Sequence, residues 1–515
     1  MNPHEYEIPN GKFVFCANET SLCEPKPDTR RTTFLGDALN RFVRNKASVL
    51  AAVIIGLLLL FAAVGPLLTP YSVSYEDVNY AYALPKNPLF VKLGIRFWDG
   101  GQKKEVNETA YHYYRAIEEE IRRPVIMTEP IVTEEAYMGK NTKLYAFRLD
   151  TYNAVGMKFV LLTTAEYEDL QRYQEERGVL VIYPMTDPTL RPEAEQDNGN
   201  ANYWYMTRAG TGRKTQIVYD ESGHLIPIYQ ADTGQDHYTC AMYMEGDVKR
   251  YSYAEKKDGD LWSVRVDYRE YYIYRHAAAG DGVQEPVFLF GTNDTGRDLL
   301  AGLASGARFS FLLSFAVAVV NLFVGALYGA VEGYYGGKTD LIMERIVDIL
   351  SAIPFMIVII LLKYHFNVSH ILLLFIAFFL TGWTGMAGRT RMQFYRYKNR
   401  EYVLVAKTLG AKDRRIMFKH ILPNAIGTLI TGSVLMIPGV IFSETSLSYL
   451  GIIDLNTGSM TSIGTLLAKG QNFLFTYPHM ILFPAVFISL LMLCFNLFGN
   501  GLRDAFNPSL RGAED

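Results

Sequence analysis

Cysteine is scarce: four in 515 residues, at Cys16, Cys23, Cys240 and Cys494. Four such thiols do not make a disulfide framework, and only Cys240 falls between residues 71 and 300. Cys16 and Cys23 have no second Cys or His pair nearby, so they read as ordinary thiols in a polar tail rather than as a metal centre. Catalytic constellations are also missing. His112, His224, His237 and His276 are scattered, with no HExxH or paired-ligand spacing. No GxSxG elbow appears, and the carboxylates have no recognisable catalytic partner. An excess of positive charge is absent as well. Fifty Lys and Arg stand against 53 Asp and Glu, a net charge of −3, which rules out a strongly basic nucleic-acid binder as the default. With 49% hydrophobic residues, the chain is not a disordered one either.

What is present is unevenly spread. The length suggests about three units at ~150 residues each. Residues 71–300 carry 26 Lys and Arg against 36 Asp and Glu, a balance of −10. The remainder carries 24 against 17, a balance of +7. Of 35 tyrosines, 25 lie in 71–300. One part is the material of an aqueous domain and the other that of a membrane protein.

A span needs ~20 mostly apolar residues, because lipid offers the backbone no hydrogen-bond partner. Six stretches qualify: Ala47–Leu68, Phe309–Val331, Ile349–Tyr364 (short but continuous), Ile371–Ala387, Ala425–Leu450 and Met480–Phe498. The first begins after 46 residues and exceeds the apolar core of a cleavable signal peptide. Basic residues concentrate between the fourth and fifth stretches, from Arg389 to Lys419, and recur at Lys338 and Arg345. By the positive-inside rule, the N-terminus, the 333–348 and 388–424 loops and the C-terminal tail are cytoplasmic. Residues 69–300 then lie outside.

That outer segment is too long for a simple loop. Lys143–Asp150, Gly156–Leu162, Val179–Tyr183, Gln216–Tyr219 and Val264–Tyr274 read as strands. Thr163 to Glu166 is a capping box that opens a helix closed by Gly178, and Tyr111–Arg122 reads as a second helix stopped by Pro124. The expectation is one α+β domain, its tyrosines either strand-formers or a recognition surface.

Glu332 to Thr339 misses the phosphate-loop pattern by one residue, since glycine is needed where Glu332 stands. It also follows a membrane helix rather than a strand, so no nucleotide site is expected. The 388–424 loop is more informative. A short apolar run, Val403–Leu409, is followed by Gly410 and Ala411, then Lys412–His420, then Leu422, Pro423 and Asn424. Two short helices broken by Gly-Ala would form a knuckle whose small residues (Ala406, Gly410, Ala411) admit another surface closely.

Tyr402–Asn424, YVLVAKTLGAKDRRIMFKHILPN, resembles the EAA loop of bacterial ABC-importer permeases, with Gly410 thirteen residues before Pro423. It departs from that consensus at Leu404, Val405 and His420. Gly291–Asp298 (GTNDTGRD), Arg345–Asp348 with Ala352–Pro354, and Glu444–Gly451 (ETSLSYLG) resemble stretches of the second permease subunit of oligopeptide and dipeptide importers. The likeness covers 30–70 and 290–510; the insert at 71–285 exceeds that family's usual loop.

The resemblance implies an all-α polytopic core of six transmembrane helices, of the type I ABC importer kind, with the α+β domain inserted between helices 1 and 2. It implies half of a pore in a bacterial plasma membrane. The partners would be a second homologous permease subunit, two cytoplasmic ATPases that carry ATP and Mg, and an extracytoplasmic peptide-binding protein, with lipid around them and no nucleic acid. The chain itself would bind no cofactor and catalyse nothing. Ala406, Lys407, Leu409, Gly410, Ala411, Lys412, Asp413, Leu422 and Pro423 would form the coupling contact with an ATPase. Glu444 would line the path or hydrogen-bond a neighbouring helix. Asp294, Arg297 and Asp298 would sit on a short outer-surface helix within Gly291–Ala307. The cargo could be a peptide or a metal chelate such as a nickel complex. A membrane receptor with a ligand-binding ectodomain is the rival reading, weakened by the lack of a cytoplasmic output domain. A tethered enzyme is another, weakened by the absence of a catalytic constellation.

Overall fold

The computed structural model describes residues 34–506, apart from 138–139, 184–200, 203–206, 210–214, 218–220, 222–237, 246–247, 257–258 and 456–459. Cys16, Cys23, His224 and His237 lie outside the described residues.

Among the described residues, five helices are long and apolar enough to cross a membrane: Lys46–Leu67, Leu299–Tyr335, His370–Tyr397, Asp413–Tyr449 and His479–Phe506. The expected continuous span at Ile349–Tyr364 is instead a broken pair, Gly337–Ala352 and Phe355–His365, bent by 76°. Pro354 is the cause. It has no N–H to donate and forces Ile353 into an extended conformation, with ψ 117°. The second leg has 11 residues, about 16 Å, too short to cross ~30 Å of hydrocarbon alone.

The second span starts ten residues before Phe309 and runs for 37 residues, about 55 Å. This overturns the short surface helix expected within Gly291–Ala307. Residues 291–297 form a turn, and Leu299 already belongs to the long helix, where Leu300, Leu303 and Ala307 are buried. Gly302 and Gly306 did not break the helix. Gly306 allows it to press on the backbone of Ser462 and Ile463. The fourth span also overruns its expected end, reaching Tyr397, so 388–397 is helix and the loop proper begins at Lys398.

The second and fourth spans form the most extensive helix pair. Gly325, Gly329 and Gly333, four residues apart, put one bare helix face against Trp383, Ala387 and Arg391. A Cβ on any of the three would strike backbone of the facing helix. Small residues at this spacing let helices meet through their backbones, which is how packing proceeds where lipid is as apolar as leucine.

Between the first two spans lies a mixed region. One antiparallel sheet sets Lys140–Asp150 between Gly101–Asn107 and Ile131–Tyr137. A second orders Met157–Thr163, Leu261–Asp267, Val248–Lys256 and Tyr238–Glu245, with Ile182–Tyr183 also paired to Leu261–Asp267. A small hairpin joins Thr207–Ala209 to Thr215–Ile217. Helices run over Glu108–Ile121, Thr164–Arg177 and Tyr268–Ala279. The Thr163–Glu166 capping box is formed and Gly178 closes its helix in the left-handed conformation.

Val264–Tyr274 is not one strand. It is strand to Asp267 and helix from Tyr268, because the Asp267 carboxylate accepts from the Arg269 N–H at 3.1 Å and caps a new helix. Tyr268, Tyr272 and His276 then share its buried face at four-residue spacing. These tyrosines are therefore core and not a strand surface. With Tyr71, Tyr80, Tyr152 and Phe288 they form one aromatic cluster that ties the two flanks of the insert together. The expected strand Val179–Tyr183 shrinks to Ile182–Tyr183, since the N–H groups of Val181 and Ile182 both donate to Gln174 Oε1 at 2.8 Å.

Candidate functional site

The segment after the fourth span folds back as a knuckle. Helix Glu401–Thr408 ends in a Schellman turn: Gly410 N–H donates to Lys407 O at 3.0 Å, and Ala411 N–H to Ala406 O at 3.1 Å. Gly410 holds φ at +80°, a conformation that side chains resist, so glycine is required here by backbone geometry. Asp413–Arg415 begins the return, and a π-helical turn, Ile416–Ile421, leads into Leu422–Tyr449 with Pro423 in its first turn. The π-helical turn is where the ladder shifts: Leu422 N–H reaches back five residues to Met417 O, just before Pro423, which has no N–H to donate.

One face of the knuckle is anchored. Val403, Ile416, Met417 and Ile421 are buried against Ala330 and Phe394 of the second and fourth spans, with Ala411 and Leu422 packed beside them. The Tyr334 hydroxyl donates to Asp413 at 2.7 Å, and Lys398 Nζ donates to Gly333 O at 3.1 Å. The other face is bare and apolar. Tyr402, Leu404 and Val405 are roughly half exposed, and Leu409 is 81% exposed. Lys407, Lys412, Arg414 and Arg415 stand around it, also exposed.

Lys407, Leu409, Gly410 and Lys412 are exposed along the turn, with Ala406 half-buried; Asp413 is exposed too, but its carboxylate is held by Tyr334 on the anchored side. Ala411 and Leu422 serve the anchored side. Pro423 is exposed but belongs to the helix start. Sequence reasoning missed Tyr402, Leu404 and Val405, two of which are departures from the EAA consensus. It also missed the clamp below the knuckle. There Arg391 of the fourth span holds Asp340 through two bonds, at 2.6 and 3.0 Å. The same guanidinium lies 3.1 Å from Glu344 and 3.4 Å from Glu332. It fastens the first leg of the bent pair to the second and fourth spans. The only sequence hint was an acid, Glu332, where the phosphate-loop pattern wants glycine.

Glu444 is fully buried in the fifth span. It accepts from Ser310 Oγ of the second span at 2.8 Å and from Ser448 Oγ at 3.2 Å. Its contacts are those of helix packing. At the other end of the second span, Asn293 Oδ1 gathers the N–H groups of Thr295 and Arg297 at 3.0 and 2.9 Å and shapes a tight turn. Asp294 and Arg297 reach the surface in part, and Arg297 pairs with Glu76 at 2.6 Å. Asp298 does not. It is buried as the helix N-cap, accepting from Leu300 N–H at 3.1 Å, and burial pushes its carboxyl up to about 6. The expected three-residue outer surface is therefore two residues and a cap.

Comparison with known proteins gives the family. The family described as "Binding-protein-dependent transport system inner membrane component" matches residues 321–512. "N-terminal TM domain of oligopeptide transport permease C" matches residues 33–85. The oligopeptide transport system permease protein OppC of Bacillus subtilis is 44% identical over 222 residues, 43% of this chain and 72% of that protein. The dipeptide transport system permease protein DppC of Lactococcus lactis is 36% identical over 275 residues, 53% of this chain and 73% of that protein. Among solved structures, an inward-facing MetNI methionine ABC transporter is 11% identical and covers 38% of this chain and 94% of its own, with a TM-score of 0.30. That last likeness is too slight to carry an argument. The sequence relationships are not slight, and they assign the chain to a transport family rather than to an enzyme family: it belongs to the binding-protein-dependent transport permeases, among those of the oligopeptide and dipeptide kind.

Proposed function

We propose that this chain is a membrane permease subunit of a peptide importer driven by ATP, forming half of the pore. Its relatives named for oligopeptide and dipeptide transport support the cargo class. The observation that carries the mechanism is the knuckle: an apolar, exposed patch on a rigidly anchored turn. Such a patch covered in the assembled complex transmits force without doing chemistry. A cytoplasmic ATPase is the partner we assign to it, through Leu409 and Gly410 at the centre and Lys407, Lys412 and Asp413 at the rim. Rim charges contribute ~0–1 kcal/mol each, while the apolar centre carries more. ATP and Mg stay with the two ATPases. Their closure rocks the spans as rigid bodies, together with those of a second permease subunit, in the manner of type I importers.

On this reading the N- and C-termini face the cytoplasm, and the insert stands outside, over the mouth that an extracytoplasmic peptide-binding protein serves. The Arg391 clamp gives the knuckle a stiff route to the bent pair. The test is a reconstituted complex with Leu409→Asp. Membrane insertion should remain intact while ATP hydrolysis stimulated by loaded binding protein is lost. Normal stimulation in that variant sinks the coupling assignment. Replacing Pro85–Gly282 with a short flexible linker tests the insert. A weakened grip on the binding protein indicates docking, a slowed transport rate at saturating binding protein indicates substrate transfer, and no change leaves a passive spacer.

A further inference from the structure

The insert is acidic by ten charges, yet one stretch of it has the opposite character. From Lys86 to Trp98 there are three cations (Lys86, Lys92 and Arg96) and no acid. The same stretch exposes Leu89, Val91, Leu93, Ile95 and Phe97, with Leu93 at 72% and Leu89 at 68%. Its fold is a single helical turn, Pro88–Lys92, capped by Asn87, then a 3-10 turn, Arg96–Trp98. Five large apolar side chains left bare in so short an element are not explained by an aqueous domain surface.

The location accounts for them. The Phe97 ring packs edge-on against Phe483 at 6.0 Å, and Phe290 stacks on Phe483 at 4.0 Å. Phe61 of the first span lies against Phe290 at 6.4 Å. Trp98 supports the element from behind, with its ring against Phe90 and Phe97 and its Nε1 donating to Leu289 O at 2.9 Å. Phe483 is four residues into the last span, so it sits about 6 Å along the axis from His479. Phe97 therefore packs beside the first turns of a membrane helix. On that helix Leu482 and Val486 are also exposed, and the ring contact of Phe97 with Phe483 joins the element to it. Aromatic rings beside a span end, with exposed cations next to them, are the composition of a membrane interface.

We propose that residues 86–98 dip into the bilayer interface beside the last span. Leu89, Leu93 and Phe97 enter the acyl boundary, and Lys92 and Arg96 sit among lipid phosphates. An interfacial element buries its apolar face ~5–10 Å deep and gains from anionic lipid. The occupant of this surface is lipid rather than protein, which follows from its contact with the span through Phe97 and Phe483 and from its exposed cations, Lys92 and Arg96, opposite in sign to the surrounding domain (Lys86 is taken up by Asp150). The lipid contact holds the insert at a set tilt over the pore. The inference rests on the spans being where the proposed function puts them.

The test uses the full complex, with this chain cysteine-free except for one introduced site, in nanodiscs of phosphatidylethanolamine and phosphatidylglycerol. A nitroxide label is placed at Leu93→Cys or Phe97→Cys. Controls are Leu57→Cys in the first span and Glu175→Cys on an exposed helix of the insert. Collision with oxygen, which concentrates in lipid, is compared with collision with a water-soluble nickel chelate. At 93 and 97 oxygen should dominate, as at 57, and the order should reverse at 175. Labels at 93 and 97 that behave like the one at 175 overturn the proposal, because the element then lies in water. Labels shielded from both reagents also overturn it, because protein then covers the surface. Failure at position 57 is a separate result and strikes the span assignment itself.

Discussion

The two halves of this molecule solve the packing problem with different residues. The spans meet through glycine and through buried hydroxyls. Gly325, Gly329 and Gly333 bring two backbones together, and Ser310 donates to Glu444 across helices. Ion pairs gather on Arg391 of the fourth span, which faces Glu332 of the second span and Asp340 and Glu344 of the bent pair. The insert instead packs by bulk and charge. Tyr80, Tyr152 and Tyr272 are fully buried, and so is Arg265, which holds Glu120 through two bonds at 2.6 and 2.7 Å. The solvent explains the contrast. In water, folding gains from burying large side chains, so tyrosine and its hydroxyl partners are favoured. In lipid that gain is absent, and close backbone contact takes its place.

The sharpest way to break the comparison is to remove the insert's buried charge. Arg265→Met leaves Glu120 buried without its partner, in a site where burial already pushes that carboxyl up against the pull of Arg265. A loss of ~3–5 kcal/mol is expected, confined to the insert. Hydrogen exchange should show Leu261–Asp267 opening while Leu299–Tyr335 stays protected. The double change Arg265→Met with Glu120→Leu should recover much of the loss. Loosening of the spans as well would mean that the two halves are one cooperative unit.

Much of this contrast was legible in the sequence, and the failures have physical reasons. Apolar run length finds helices, so five of the six spans appeared in place. It does not see what a single Pro354 does to the third, because the count is of hydropathy and the break is steric. Run length also stops at polar residues, while real helices continue until a cap or breaker. Hence the second span's early start at Leu299, capped by Asp298, and the fourth span's overrun to Tyr397. In the insert, the capping box at Thr163 was readable because its signal is local. Tyrosine-rich Val264–Tyr274 misled because strand propensity is high on both sides of Asp267, and the cap decides. At the knuckle, the turn was legible from Gly410. The exposed apolar side chains at Leu404 and Val405 were not, since exposure is set by how the turn leans on Phe394.

Asp298 lies at the seam between the halves and tests both. Its native carboxyl is raised to about 6 by burial, above its unfolded value. The folded state therefore binds more protons between about pH 4 and pH 6. The stabilisation from this group is full below pH 4 and is lost as pH rises through 6, a swing of up to about 3 kcal/mol. Asp298→Asn keeps an acceptor at the helix N-cap and removes the buried charge. Its thermal unfolding in detergent should be flatter across this pH window and no less stable at pH 7. A wild-type curve with no slope there would show that the seam is hydrated.

Gly329→Leu addresses the spans alone. Its Cβ would meet the backbone of Ala387, which cannot yield as a flexible side chain would. Overpacking costs ~1–3 kcal/mol, and here it must also part the second and fourth spans. Because the knuckle is anchored on Ala330 and Phe394, of those same two helices, stimulated ATP hydrolysis should fall together with stability. Retained coupling in a loosened pair would place the force path elsewhere.

The smallest effect separates the halves most finely. Thr163→Ala removes a complete capping box, in which Thr163 N–H and Oγ donate to Glu166 at 2.8 and 2.9 Å and the Glu166 N–H returns to Thr163 Oγ at 3.3 Å. Its helix is a charged one, with only Tyr167 and Leu170 buried; beside the cap, Trp262 Nε1 donates to Thr164 Oγ1 at 2.9 Å, a bond the substitution leaves in place. A loss of about 1 kcal/mol is expected in local hydrogen exchange at Thr164–Arg177. Ser369→Ala removes a cap from the fourth span, where Ser369 Oγ accepts from Leu372 N–H at 3.4 Å. That helix has 28 residues and its burial against the second span is long. Its first turn is also followed at once by Leu373 and Leu374, both buried, so packing holds what the cap would otherwise hold. The loss there should be a few tenths of a kcal/mol, below the usual ~1 for a cap. Equal losses at the two sites would mean that the span's end is as exposed to water as the insert's helix, and the division between the two halves would have to be drawn deeper into the membrane.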